Sequence, residues 1–158
     1  MNISILIPNH SDLRMINMIQ SIDYFNNEMH QVELLIVLNN PTDLVIKQVE
    51  EVKEKFKEKF LFNIIQTEYC NLGHVYNEGF KNATYDNIFI IDTDMICQKG
   101  SINKMVNAMG DKLIVKGKIL FDSTNRIIRK ARLVNTTNTI EPYIPAICLL
   151  YTSPSPRD

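Results

Sequence analysis

The stretch "DNIFIIDTDMI", Asp86–Ile96, decides how the rest of the chain is read. Four apolar residues, Ile88 to Ile91, run without alternation into Asp92-Thr93-Asp94. A strand with one solvated face alternates polar and apolar side chains, whereas a continuous apolar run is covered on both faces. That is the signature of a parallel sheet sandwiched between helices. The strand also ends on two carboxylates a single residue apart. On a continuing strand they project to one side, with alpha carbons roughly 6.5–7 Å apart.

Working outward, the same pattern recurs. "ISILIP" (Ile3–Pro8) is a first buried strand, and "VELLIVL" (Val32–Leu38) a second. Between them, Asp12 is placed to cap a helix through about Phe25, with Leu13, Ile16, Ile19 or Ile22 inward. Asp43 is placed to cap a helix from Leu44 to about Phe60, whose Val45, Val49, Val52, Phe56 and Phe60 fall at helical spacing. Its charge run "EEVKEKFKEK" is a solvated face. "FNIIQ" is a third strand, "GHVYNEGFKNA" a helix with Gly79 inside it, "NIFIID" the fourth strand, "GSINKMVNAM" a helix and "KLIVKGKIL" a fifth strand. Strands alternate with helices, so the expected fold is α/β, a mostly parallel, doubly wound sheet. Ligands of such sheets bind beyond the carboxyl ends of the strands. Pro8-Asn9-His10, Asn39-Asn40 and Asp92-Thr93-Asp94 each stand at such an end.

The bulk numbers exclude more than they propose. The 158 residues suffice for one domain with a sizeable core. At 45% hydrophobic, 22% charged and a net charge of −1, nothing favours a nucleic-acid partner. Cys70, Cys97 and Cys148 are odd in number without metal-type pairing, which favours a reduced, cytoplasmic chain. "MNISILIP" has no basic leader, and no apolar run approaches the roughly 18 residues of a membrane span.

The last eleven residues, "CLLYTSPSPRD" (Cys148–Asp158), fit none of the expected elements. They resemble the translation of a sequencing-library transposase adapter, matching it in one frame at all eleven positions. The expected organisation is therefore one partial domain over residues 1–147 and a non-native tail over 148–158, with the natural frame continuing past about Ile147.

Two carboxylates side by side repel unless a cation lies near them. Magnesium or manganese takes oxygen ligands, often one or two carboxylates together with phosphate oxygens. Such an ion neutralises a departing diphosphate. Asp-x-Asp alone is a weak signal, and its alternatives are a solvated loop pair or a helix cap. Its place at the ligand-binding edge favours the metal.

Taken together, these residues resemble a GT-A fold glycosyltransferase of the family 2 type. "ISILIPNHSD" resembles that family's first strand and turn, and "ELLIVLNNPTD" its second. "NLGHVYNEGFKNA" followed by "IFIIDTD" resembles the helix that leads to its Asp-x-Asp strand. "NLGHVYNEGF" also has beta-1,4-galactosyltransferase-like features. The resemblance spans Ile3 to about Gly117. It implies a metal-dependent transfer of sugar from a nucleotide-diphosphate-sugar donor, a UDP-sugar being favoured, to a glycan, lipid or protein acceptor. By position it implies that Pro8, Asn9 and His10 border the base and that Asn39, with Asn40, stands where an Asp often reads uracil. Asn77 and Gly79 would let their helix lie close to the donor. Asp92 and Thr93 would contact the donor, and Asp94 with Asp92 would hold Mn2+ or Mg2+.

Several positions depart from the family. Leu38 and Asn39 replace acidic residues, although an Asn amide can still pair with a base edge. Leu72 and Gly73 stand where a basic residue often lies near the diphosphate, and His74 is the substitute, or else a surface histidine. Asn39 and Asn40 also suit a plain turn, and Tyr69 and Tyr76 read as packing residues. An inverting transferase needs a carboxylate base, and nothing around Asp111, Asp122 or Glu141 matches that context. The base is therefore expected to be missing from the chain. Two alternatives stay open: a haloacid dehalogenase-type phosphatase, with Asp92 as nucleophile, and a non-catalytic nucleotide- or sugar-binding domain.

Overall fold

The computed structural model describes residues 1–22, 31–109, 114–116 and 149–152. Four strands run parallel: β1 (Ile3–Asn9), β2 (Val32–Asn39), β3 (Leu61–Thr67) and β4 (Asn87–Ile90). The helices are α1 (Met15–Ser21), α2 (Asp43–Phe56), α3 (Leu72–Asn82) and α4 (Ser101–Met109). Two short strands, β5 (Ile114–Lys116) and β6 (Leu149–Thr152), complete a sheet of order β3-β2-β1-β4-β6-β5. The expected mostly parallel α/β sheet is therefore present, with β6 antiparallel to both of its neighbours.

The continuous apolar strands divide their side chains between two covers. Ile3, Ile5 and Ile7 of β1 and Leu34, Ile36 and Leu38 of β2 pack with Met15, Met18 and Ile19 of α1, Val45, Val49, Val52 and Phe56 of α2, and Ile102 and Met105 of α4. The intervening residues Leu6, Leu35 and Val37 meet Val75 of α3 on the opposite face. This is the period-two geometry of a strand buried on both sides. Gly79 sets the closeness of α3: a Cβ there would stand 2.4 Å from Leu6 Cδ1.

The register fixes the site. Asn9 is level with Leu38, and Asn39 with Thr67. Because β1 lies between β2 and β4, successive connections leave it in opposite directions, which opens a crevice at the carboxyl ends of β1 and β4.

Local departures from the sequence expectations have local causes. Asp12 does not cap α1. The N-cap is Arg14, without a side-chain cap bond, because the Asp12 carboxylate is engaged by Arg14 itself. Leu13 is 42% exposed, and Met15 and Met18 take the inward positions with Ile19 and Ile22. The expected end of that helix, at Phe25, lies outside the described residues. Thr42 rather than Asp43 caps α2, its hydroxyl accepting from the Val45 N–H, and Asp43 becomes the first helical residue, where a carboxylate suits the dipole. The helix ends at Phe56 rather than Phe60, although Phe60 is still buried. Of the expected fifth strand, Ile114–Lys116 is a strand, and its remaining residues lie outside the described ones.

Two corrections matter more. β4 ends at Ile90, so Asp92-Thr93-Asp94 is a turn, closed by the Met95 N–H to the Asp92 carbonyl at 3.1 Å. Strand alternation therefore does not place the two carboxylates. Secondly, the tail expected to fit no element contributes β6, which pairs Ile90 with Leu149 through Asn87 with Thr152. Leu-Leu-Tyr-Thr is a strand-forming run, and β4 offers it an open edge. The pairing bears on the conformation of these four residues and not on their origin.

Candidate active site

The turns that follow β1 and β4 face one another across a cavity of about 300 Å³. Pro8, Asn9, His10, Asn39, Asp92, Thr93 and Asp94, all expected at the site, line it. So do Asp12, Arg14 and Val75, to which the sequence assigned no site role, and Leu72, which stands where the family often has a basic residue. Asn40, His74 and Asn77 are exposed and do not line it.

Buried Asn9 builds the first wall with its side chain. Its Oδ1 accepts the N–H groups of Ser11 and Asp12, both at 2.9 Å, and its Nδ2 donates to the Asp12 carbonyl at 3.1 Å. This is a side chain imitating a backbone turn, and it holds Ser11 at φ 137°. Asn39 does the same for the second wall. Its Nδ2 donates to the Cys70 carbonyl at 2.8 Å, and its Oδ1 accepts the Cys70 N–H at 2.9 Å. An amide supplies both the donor and the acceptor that this closed pair needs, whereas a carboxylate has no donor to give. The departure to Asn at this position thus has a structural reason. Asn40 turns the chain at φ 50°, its N–H bonded to the Thr67 carbonyl.

His10 is tied to the same wall. Its Nδ1 lies 2.7 Å from the Asn39 carbonyl, which can only accept, so Nδ1 carries the proton. Nε2 is then the acceptor of the neutral ring. Tyr69 meets His10 edge-on, with ring centroids 5.6 Å apart, and is 74% exposed. It is a surface ring beside the cavity and not the packing residue expected, because the turn between β3 and α3 carries it away from the sheet. Tyr76 does pack, against Phe80 and the smaller apolar cluster. His74 sits on the outer face of α3, 4.0 Å from Glu78, while Asn71 caps that helix through the His74 N–H.

The charged side chains meet across the chain. Thr93, buried in the Asp-Thr-Asp turn, donates its hydroxyl to Asp12 Oδ2 at 2.9 Å, over a separation of 81 residues. Arg14 grips Asp12 through Nε and Nη2, the latter at 2.6 Å, and its Nη1 lies 3.9 Å from Asp94. The Arg14 hydrogen bonds hold the Asp12 pKa down to about 2. Asp92 behaves oppositely: its surface is exposed at the cavity, yet partial desolvation there, and then the charge of Asp94, push its carboxyl upward from the usual range. Neither Asp12 nor Arg14 carried a sequence signal for this role, because the contact depends on β1 lying beside β4. Asp111, Asp122 and Glu141 lie outside the described residues.

Solved structures share this architecture. The S. aureus TarS 1-349 structure superposes with a TM-score of 0.63 at 18% identity, over 79% of this chain and 38% of its own. The mannosyltransferase PcManGT from Pyrobaculum calidifontis, in complex with GDP-Man and Mn2+, gives 0.67 at 16% identity over 95% and 44%. Glucosyl-3-phosphoglycerate synthase from Mycobacterium tuberculosis, with Mg2+ and UDP, gives 0.63 at 12% identity over 96% and 56%. The chain thus spans about two-fifths to just over half of these proteins. No curated protein matches it in sequence. The profile described as Glycosyl transferase family 2 matches residues 4–146, nearly the whole chain, and removes the phosphatase alternative. The Asp-Thr-Asp turn, the sheet that presents it and this match agree: the chain belongs to glycosyl transferase family 2.

Proposed function

We propose that this chain is the donor-binding part of a transferase that takes a sugar from a nucleoside-diphosphate sugar, and that Asp94 and Asp92 hold Mn2+ or Mg2+ there. The observation that carries the reading is the convergence of Asp92 and Asp94 with the turns after β1 and β2 on one cavity. The fit to a metal rests on chemistry. Partial desolvation, and then the charge of Asp94, raise the Asp92 carboxyl, and a divalent ion beside it would offset both. Among the described residues no group of three or more His, Cys, Asp or Glu is placed to hold an ion. Two carboxylates suit an ion that draws its remaining ligands from a diphosphate. When bound, that ion would neutralise charge on the departing nucleoside diphosphate.

The chain's own residues have the remaining tasks. Asn9 and Asn39 hold the walls against which a base would lie, and His10 offers a ring acceptor beside them. A uridine nucleotide is favoured, with the acceptor sugar, lipid or protein unassigned. The base that would deprotonate the acceptor is proposed to be missing from residues 1–147, taken as part of a domain. The eleven residues from Cys148 are proposed to be adapter-encoded, which sequencing of the source locus would test. A cytoplasmic setting is part of the same reading, because residues 1–147 hold just Cys70 and Cys97, without metal-type or disulfide-framework spacing. Among the described residues no helix is long and apolar enough to cross a membrane.

Calorimetric titration with UDP and GDP tests the donor site. UDP is expected to bind in Mn2+ and to lose roughly tenfold or more, about 1.4 kcal/mol, in chelator or in Asp94→Ala. Binding indifferent to both changes would overturn the reading.

A further inference from the structure

Arg14 is the one guanidinium or ammonium group among the described residues that line the cavity, which Asp12, Asp92 and Asp94 line as well. Asp12, more than Asp94, fixes its position. Nε lies 2.9 and 3.0 Å from the two Asp12 oxygens and Nη2 lies 2.6 Å from Oδ2, while Nη1 is 3.9 Å from Asp94 Oδ2. Asp12 is itself braced by the Thr93 hydroxyl of the Asp-Thr-Asp turn. The guanidinium is thus held in a fork beside Asp94, with its charge directed at a carboxylate that the proposed metal would use.

We propose that Arg14 is a positioning residue that competes with the divalent ion for Asp94 and thereby couples metal binding to nucleotide binding. This rests on the donor-site reading above. A divalent ion taking Asp94 on its own approaches a cation that Asp12 holds in place. Repulsion between the two weakens metal binding to the nucleotide-free protein. A diphosphate entering the same cavity brings negative charge against both cations and removes that penalty. Metal and nucleotide then favour one another by more than a shared ligand set provides, and the coupling is reciprocal.

Mn2+ binding, read from the electron paramagnetic resonance signal of the free ion, tests this on the full chain with and without UDP. Arg14→Gln is expected to bind Mn2+ alone roughly fivefold or more tighter than the unaltered protein, the order expected for removing a unit charge beside a divalent ion in a solvated site. The factor by which UDP improves Mn2+ affinity is expected to shrink. Arg14→Lys keeps the charge and is expected to stay near the unaltered protein in both measurements. If Arg14→Gln matches the unaltered protein, or Arg14→Lys shifts as far as Arg14→Gln, the competition is refuted while the donor site stands. If the unaltered protein binds no Mn2+ even with UDP, both proposals fall.

Discussion

Glu33 is the side chain whose loss is expected to cost this fold most for its size. It is 2% exposed, at the amino end of β2 on the face that α3 covers. Four donors converge on its carboxylate. Ser4 Oγ and the Thr84 N–H reach Oε2, the latter at 2.9 Å. Thr84 Oγ1 and Asn63 Nδ2 reach Oε1 at 2.7 and 3.2 Å. Ser4 Oγ in turn accepts the Tyr85 N–H at 3.1 Å. The network joins β1, β2 and β3 to the segment that feeds β4, and so to the strand that presents the Asp-Thr-Asp turn. Glu33→Gln keeps the shape but puts an NH2 group where two donors need an acceptor. Each stranded buried donor costs about 1–3 kcal/mol, so two would cost about 2–6 kcal/mol; because the Thr84 and Asn63 donors are only partly buried, the substitution is expected to destabilise by roughly 2–4 kcal/mol. That is a large share of the 5–15 kcal/mol typical of a domain. Urea unfolding followed by circular dichroism measures it, with a lowered midpoint and an unchanged slope expected. The exposed Glu51→Gln is the control, expected within about 0.5 kcal/mol of the parent. A Glu33→Gln protein as stable as that control would refute the account of the network.

Gly79→Ala places a methyl 2.4 Å from Leu6 Cδ1 and 3.1 Å from Cγ, so rotation of Leu6 alone does not clear it. Overpacking of about 1–3 kcal/mol is partly offset by about 1 kcal/mol of helix propensity. A net loss of up to about 2 kcal/mol is expected in the same urea assay. Asp92→Asn is expected to raise the melting temperature of the metal-free protein at pH 7. The folded-state pKa of Asp92 lies above its ordinary value of 3.8, so ionisation costs stability as pH rises through the folded value. Below about pH 3.8 the advantage of Asp92→Asn should vanish; an advantage that persists there would overturn the assignment.

The site shows where sequence reading stops. Asp92, Thr93 and Asp94 were legible because a continuous apolar strand ran into them. Asn9 and Asn39 were legible as strand-end residues, yet spacing says nothing of what an amide does. Both amides hold a neighbouring loop, so the walls are shaped by side chains that the resemblance placed against the base. Arg14 was invisible. Its partner Asp12 is two residues away, but Asp94 is joined to it only by the sheet.

The sequence by itself determined the layers. Apolar periodicity is a local property, and continuous strands alternating with stripes at Val45, Val49 and Val52 leave one economical arrangement, a parallel sheet between helices. Tertiary structure alone decided the order β3-β2-β1-β4, the end of β4 at Ile90, the strand made by Leu149–Thr152, and the meeting of Asp12 and Arg14 with Thr93 and Asp94. The physical reason is that burial is specified by each element's own pattern. A polar contact between two turns depends on which strands become neighbours, and hydrogen-bond and charge geometry carry no period along the chain.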